Sequence, residues 1–192
     1  MLMMATSAMA IPISGTIDFT GSINLKNATG LDSNANPVTA ATATGIHFID
    51  SDFSVKTGLG ATGDYTAITE GTDATYTDFF FKPTMYPTPV NPLWTITKDG
   101  KTYSFSMTSV LSDVQGSLLS LTGKGLFDIT GGDIEYDQTP GNWIFNSYDN
   151  GVTTLAFSAS SAVPEPGTMV LLGAGLLGLA VYGKRRTNNK EA

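Results

Sequence analysis

The residue types that perform most protein chemistry are scarce in this chain of 192 residues: it has no cysteine and a single histidine. That count excludes disulfides, thiolate metal sites, cysteine nucleophiles and any zinc site needing two or three histidines. The histidine, His47, stands in Gly45-Ile46-His47-Phe48-Ile49-Asp50, on the strand face opposite Ile46 and Phe48. A nucleophilic triad would need it, but no G-x-S-x-G elbow accompanies it. A solvent-facing strand histidine is the simpler reading. The one acidic constellation is Asp133-Ile134-Glu135-Tyr136-Asp137. In a strand its carboxylates would share one face about 6.5–7 Å apart, within range of a Ca²⁺ site or a glycosidase pair. A solvated face or loop is the preferred reading, and Asp133, Glu135 and Asp137 stand beside it as candidate Ca²⁺ ligands.

Three further matches fail or stay idle. Asp32-Ser33-Asn34-Ala35-Asn36 opens like an EF-hand loop, but Pro37 occupies the position of the required glycine and Ala43 that of the bidentate glutamate. Asn27-Ala28-Thr29 is a glycosylation sequon to which no role is given. Gly173-Ala174-Gly175-Leu176-Leu177-Gly178 spells a dinucleotide fingerprint, but only 14 residues follow it, too few for the helix and the acidic residue about 20 positions on that the fingerprint needs. No catalytic residue and no cofactor is expected.

The elements that would position such residues divide the chain in two. Between Ile11 and Val163 there are 15 acidic and 6 basic residues; beyond it, Lys184, Arg185, Arg186 and Lys190 outnumber Glu165 and Glu191. An overall formal charge of −7 and a pI near 4.4 argue against nucleic acid as a partner. Within the acidic body, apolar and polar residues alternate, as in Tyr103-Ser104-Phe105-Ser106-Met107, and no amphipathic helix pattern occurs. Asp99-Gly100 and Asn150-Gly151 predict two hairpins with type I′ turns. Lys82 to Pro92 holds four prolines and predicts an extended loop or edge; Asn27 to Thr44 predicts a long loop or weak strand. The fold expected is all-β: an antiparallel β-sandwich or jelly-roll-like body over 11–162. Its inner faces would carry Phe19, Phe48, Phe79, Phe81, Trp94, Tyr103, Phe105, Leu119, Leu121, Phe127, Trp143, Phe145 and Phe157.

The two ends carry a different message. Residues 1–10 hold Ala8-Met9-Ala10, a small-x-small site of the kind signal peptidase cuts, without the basic n-region and full apolar stretch of a leader; they are expected to be a truncated signal remnant. Thr168 to Gly183 runs 16 residues without a charge and stops at Lys184-Arg185-Arg186. As a helix it would be about 24 Å long, short for a hydrocarbon core of about 30 Å but within tolerable mismatch. A C-terminal single transmembrane helix is therefore expected, with the basic stop and residues 187–192 in the cytoplasm and the body outside. Ala174 and Gly178 form a small-xxx-small pair suited to such a helix.

Val163-Pro164-Glu165-Pro166-Gly167 stands immediately before this apolar run. The three parts in order, Val163 to Arg186, resemble the PEP-CTERM sorting signal. That resemblance implies export from a Gram-negative bacterium and transient membrane anchoring. It also implies recognition of Pro164, Glu165 and Pro166 by the membrane enzyme exosortase, and association with extracellular polysaccharide. Asn91-Pro92-Leu93-Trp94, Lys101-Thr102-Tyr103-Ser104-Phe105 and Thr139-Pro140-Gly141-Asn142-Trp143 resemble, more loosely, a recurring ectodomain of such proteins, to which no activity is attached. The expectation is a non-enzymatic surface or matrix protein. The alternatives are a carbohydrate-binding module presenting Trp94, Tyr86, Tyr136 and Tyr148 on one face, or a hydrolase built on the acidic cluster.

Overall fold

The computed structural model describes residues 10–49, 54–56, 60–82, 89–147 and the backbone of Tyr148 and 152–159, with the side chains of Leu155 and Ala156. Its strands are β1 (Ile11–Pro12), β2 (Gly15–Asn27), β3 (Gly30–Leu31), β4 (Gly45–Phe48), β5 (Ser54–Val55), β6 (Thr75–Tyr76) and β7 (Phe79–Phe80). They continue with β8 (Val90–Lys98), β9 (Lys101–Gln115), β10 (Leu118–Thr130), β11 (Tyr136–Asp137), β12 (Thr139–Tyr148) and β13 (Val152–Ala159). A 3-10 turn at Gly63–Tyr65 is the one helical element among the described residues. The all-β expectation holds for the body.

The strands form one long antiparallel sheet in the order β6-β8-β9-β10-β12-β13-β2-β4-β7, with β3 and β5 also pairing with β2. The layers expected of a sandwich or jelly roll are thus made by one continuous sheet that curls over its own core. Aromatic contacts record the curl. Tyr76, at one end of the strand order, stacks on Phe48 near the other end, with ring centroids 4.6 Å apart. Phe79 on the last strand meets Trp143 on β12 edge-on at 6.0 Å. A two-residue ribbon, β1 parallel to β11, stands beside the main sheet.

Alternation is the local cause. Along β9, Tyr103, Phe105 and Met107 are buried while Ser104, Ser106 and Thr108 face outward. Every residue expected on the inner face is buried except Phe157, whose side chain lies outside the described residues. These side chains belong to a single hydrophobic cluster, each fully buried Phe contributing about 1.5–3 kcal/mol over its exposed state.

The Asp99-Gly100 hairpin forms as expected: Lys98 pairs with Lys101, and both turn residues have positive φ, 51° and 75°. β12 and β13 also pair, but Ser147 stands opposite Thr153, one residue off the register of a two-residue Asn150-Gly151 turn. That turn itself lies outside the described residues. A third hairpin, β9–β10, turns through Gly116-Ser117, with Gly116 at φ 63° and Gln115 paired with Leu118. Glycine at the first turn position was its sequence signal. Within the proline-rich stretch, 83–88 lie outside the described residues, and Val90, Asn91 and Pro92 begin β8 as an irregular edge. The long polar loop expected over Asn27 to Thr44 contains only β3.

The first long strand and the last are neighbours: Gly15 pairs with Ala159. The chain therefore enters and leaves the body at the same end of one ladder. Close backbone approach secures that end. A Cβ on Gly15 would collide with the carbonyl oxygen of Thr62, and one on Gly63 with that of Ser14. Both glycines have positive φ.

Candidate functional site

Asp78, bonded to His47 and Lys26, is the centre of the only charged cluster joined through side chains among the described residues. β2, β4 and β7 lie side by side, and their register sets Lys26 opposite Gly45 and Gly45 opposite Phe80. Glycine is needed there because a Cβ would come within 2.7 Å of the Phe80 ring and 2.9 Å of Lys26 Cε. The vacancy lets the Lys26 ammonium lie 4.5 Å from the centre of the Phe80 ring. Asp78, just before β7, then accepts three hydrogen bonds: from His47 Nδ1 at 2.7 Å, from the Phe48 N–H at 3.0 Å and from Lys26 Nζ at 3.2 Å.

Partial burial alone would raise the Asp78 carboxyl. The bonds from His47, Phe48 and Lys26, with the Lys26 charge, outweigh it and hold the group below the ordinary carboxylate range. His47 faces outward as its alternation requires, but it is paired, and both side chains of the pair are 37% exposed. Among the described residues no hydroxyl bonds to His47. The cluster joins three strands across the outside of the sheet. Sequence reasoning missed Asp78 because its partners lie 31 and 52 positions away in the chain.

Asp64 does similar work at the entrance of β2. It accepts from the Ser14 N–H at 2.7 Å and from the Tyr136 hydroxyl at 3.4 Å, tying β11 to the start of β2. Asp18 is the electrostatic opposite of Asp78: burial raises its carboxyl and Lys56 only partly offsets this.

The acidic segment does not converge. Asp133, Glu135 and Asp137 are all exposed, only Tyr136–Asp137 is strand, and among the described residues no three such groups gather as metal ligands. The EF-hand-like stretch spends its oxygens on itself: Asp32 accepts from the Val38 N–H at 2.7 Å, and the Ser33 hydroxyl from the Asn36 N–H at 3.1 Å. In the sequon, Asn27 Oδ1 is the acceptor of a turn, receiving the Thr29 N–H at 2.9 Å and the Thr29 hydroxyl at 2.6 Å.

Of the four aromatics of the expected platform, two can be placed. Trp94 is fully buried, because it shares the inward phase of β8 with Ile96, and it packs on Phe19 at 5.2 Å. Tyr136 is half-buried with its hydroxyl on Asp64. Tyr86 and the side chain of Tyr148 lie outside the described residues, so the four do not stand together as a described surface.

The remaining sequence-derived sites, Pro164, Glu165, Pro166, Lys184, Arg185 and Arg186, and the apolar run between them, lie outside the described residues. Among the described residues no helix is long and apolar enough to cross a membrane. The chain separates into two compact units, 1–161 and 162–192. Residues 162–186 match the family model of the PEP-CTERM protein-sorting motif. The tail is a PEP-CTERM sorting signal. This motif marks exported proteins for exosortase, and its boundaries coincide with the Pro-Glu-Pro, apolar and basic parts read from the sequence. No curated protein and no solved structure matches the chain.

Proposed function

We propose that this chain is an exosortase-sorted surface or extracellular-matrix protein whose β body serves without catalysis. The observation that carries the reading is the PEP-CTERM motif at 162–186, at the end of a body that is otherwise one closed aromatic core. In this reading Thr168 to Gly183 crosses the membrane, Lys184, Arg185 and Arg186 hold the cytoplasmic side, and exosortase reads Pro164-Glu165-Pro166 on the outer side. The mature body then resides at the cell surface or in an exopolysaccharide matrix of a Gram-negative bacterium.

Two features of the body support this. Gly15 and Ala159 are paired, so β2 begins and β13 ends at one end of the same ladder, as suits a domain held at one point. The outward faces of the central strands are dominated by small hydroxyl and amide side chains: Thr95, Thr97, Ser104, Ser106, Ser120, Thr122, Asn142 and Asn146. Such a face is compatible with a hydrated, polysaccharide-rich surrounding.

Topology supplies the test. A reporter fused after Ala192 should be active in the cytoplasm before processing, and changing Lys184, Arg185 and Arg186 to Glu should weaken retention or orientation. Periplasmic activity of the unaltered fusion would overturn the membrane reading.

A further inference from the structure

Among the described residues only half of β9 is enclosed. From Lys101 to Met107 it lies between β8 and β10; Val90 opposite Met107 is the last contact with β8. Beyond it, among the described residues, Ser109–Gln115 pairs with β10 alone, Thr108 being the extra residue of a bulge opposite Lys124 and Gly125. A strand edge of this kind is a row of unpaired N–H and C=O groups that accepts another strand. Natural edges are guarded by prolines, by inward-pointing charges or by shortness. The edge strand β7 is two residues long. Ser109 to Gln115 has no proline, and its one charge, Asp113, is exposed.

We infer that this edge pairs with the same edge of a second copy of the chain, antiparallel, with the two-fold axis at Leu111. Each Leu111 then faces its mate, Val110 stands opposite Ser112, and Ser109 opposite Asp113. Two observations select this occupant and this register. First, Leu111 is 70% exposed and Ile144 47% exposed, and both pair with Thr122 across β10. The pairing joins Ile144, Thr122 and Leu111 of each copy into one continuous row that covers Leu111. Second, Lys124 lies beside Ser109 on β10, exposed, and among the described residues no carboxylate lies within ion-pair distance of it. In this register Asp113 of one copy adjoins Ser109 of the other and so faces Lys124 of the other, twice by symmetry. A partner of unrelated sequence would have no such complement. Seven residues of edge bury far less than the roughly 800 Å² per partner of a standard interface, so the association is weak and concentration-dependent.

The absence of cysteine makes the test direct. The full-length Leu111→Cys variant is purified and mildly oxidised over a concentration series, beside Thr122→Cys, which sits in the same exposed row one strand inward. Directly opposed residues lie about 4.5–5.5 Å apart between Cα atoms, inside the disulfide range of about 4.4–6.8 Å. Two copies of residue 122 would be three strand spacings apart, about 14 Å. Leu111→Cys should give at least about tenfold more disulfide dimer than Thr122→Cys, because only the first meets the disulfide span. A mixture of Ser109→Cys and Asp113→Cys chains should cross-link, whereas Ser109→Cys alone should not. Association through the tail would raise all variants alike, and unchanged circular dichroism verifies their fold. Equal dimer from Leu111→Cys and Thr122→Cys would overturn the inference. So would failure of the Ser109–Asp113 mixture, or, in cells, cross-linking of Leu111→Cys to a different protein in place of its own copy.

Discussion

Both the body and the tail are rich in apolar residues, but they order them differently. Between Ile17 and Leu155 apolar side chains take alternate positions, and the sheet turns them onto one core while Thr, Ser and Asn face water. Between Thr168 and Gly183 they run consecutively, with no charge until Lys184. Alternation requires a medium with two sides, core and water; an uninterrupted run requires an apolar medium all round. The difference also sets what a single residue is worth. In the body, identity matters through packing, shared among many rings. In the tail, the proposed reading gives the one acidic residue between two prolines, Glu165, its weight through recognition.

Substitutions can break this contrast from either side. The largest effect is expected at the centre of the core. Phe127 is fully buried and meets Phe105 at 4.7 Å, Tyr65 at 5.8 Å and Trp94 at 6.4 Å. Phe127→Ala should cost about 3–5 kcal/mol in urea denaturation, the ordinary penalty for an emptied aromatic site. A loss well under that would mean the core is not shared in the way described.

Acid should act next, through Asp78. Its carboxyl is held below the unfolded value, so its contribution is complete above about pH 4 and disappears as the pH falls through the lowered folded value. Unfolding midpoints followed downward from pH 6 should decline below about pH 4, and Asp78→Asn should flatten that decline. Asp18, whose carboxyl is raised, works with the opposite sign, so Asp18→Asn should steepen it. An acid limb unaffected by either substitution would contradict the outward cluster as a tie between strands.

The smallest effect is expected at Tyr65. Its ring is buried against Tyr103 and Phe127, and its hydroxyl finds no partner among the described residues. Tyr65→Phe removes an unsatisfied polar atom and should raise stability by about 1 kcal/mol. A comparable loss would show that the hydroxyl is bonded in solution.

Much of the body was legible because alternation is local. Tyr103, Phe105 and Met107 announce their face within five residues, and Asp99-Gly100 announces its turn. The sheet order was not legible, because β13 joins β2 across most of the chain and no local pattern encodes that pairing. Nor was one curled sheet distinguishable from two stacked ones: both bury the same alternate residues, and only contacts such as Phe48 on Tyr76 decide. Trp94 could be read as core or as surface until the phase of β8 was fixed by its pairing with Phe105. His47 showed its outward direction in sequence but not its partner. The tail was legible as a whole because its three parts are contiguous.

The most direct measurement compares the mature size and location of the wild-type protein and Glu165→Gln in cells with and without exosortase. The substitution removes one charge with almost no change in volume, outside every described strand, so the body should fold identically in both. Wild-type protein should be processed only where exosortase is present, and the Gln variant should remain at its unprocessed size and membrane location in either strain. Equal processing of the two proteins, or processing of the wild type without exosortase, would contradict the reading of this tail as a sorting signal recognised at Glu165.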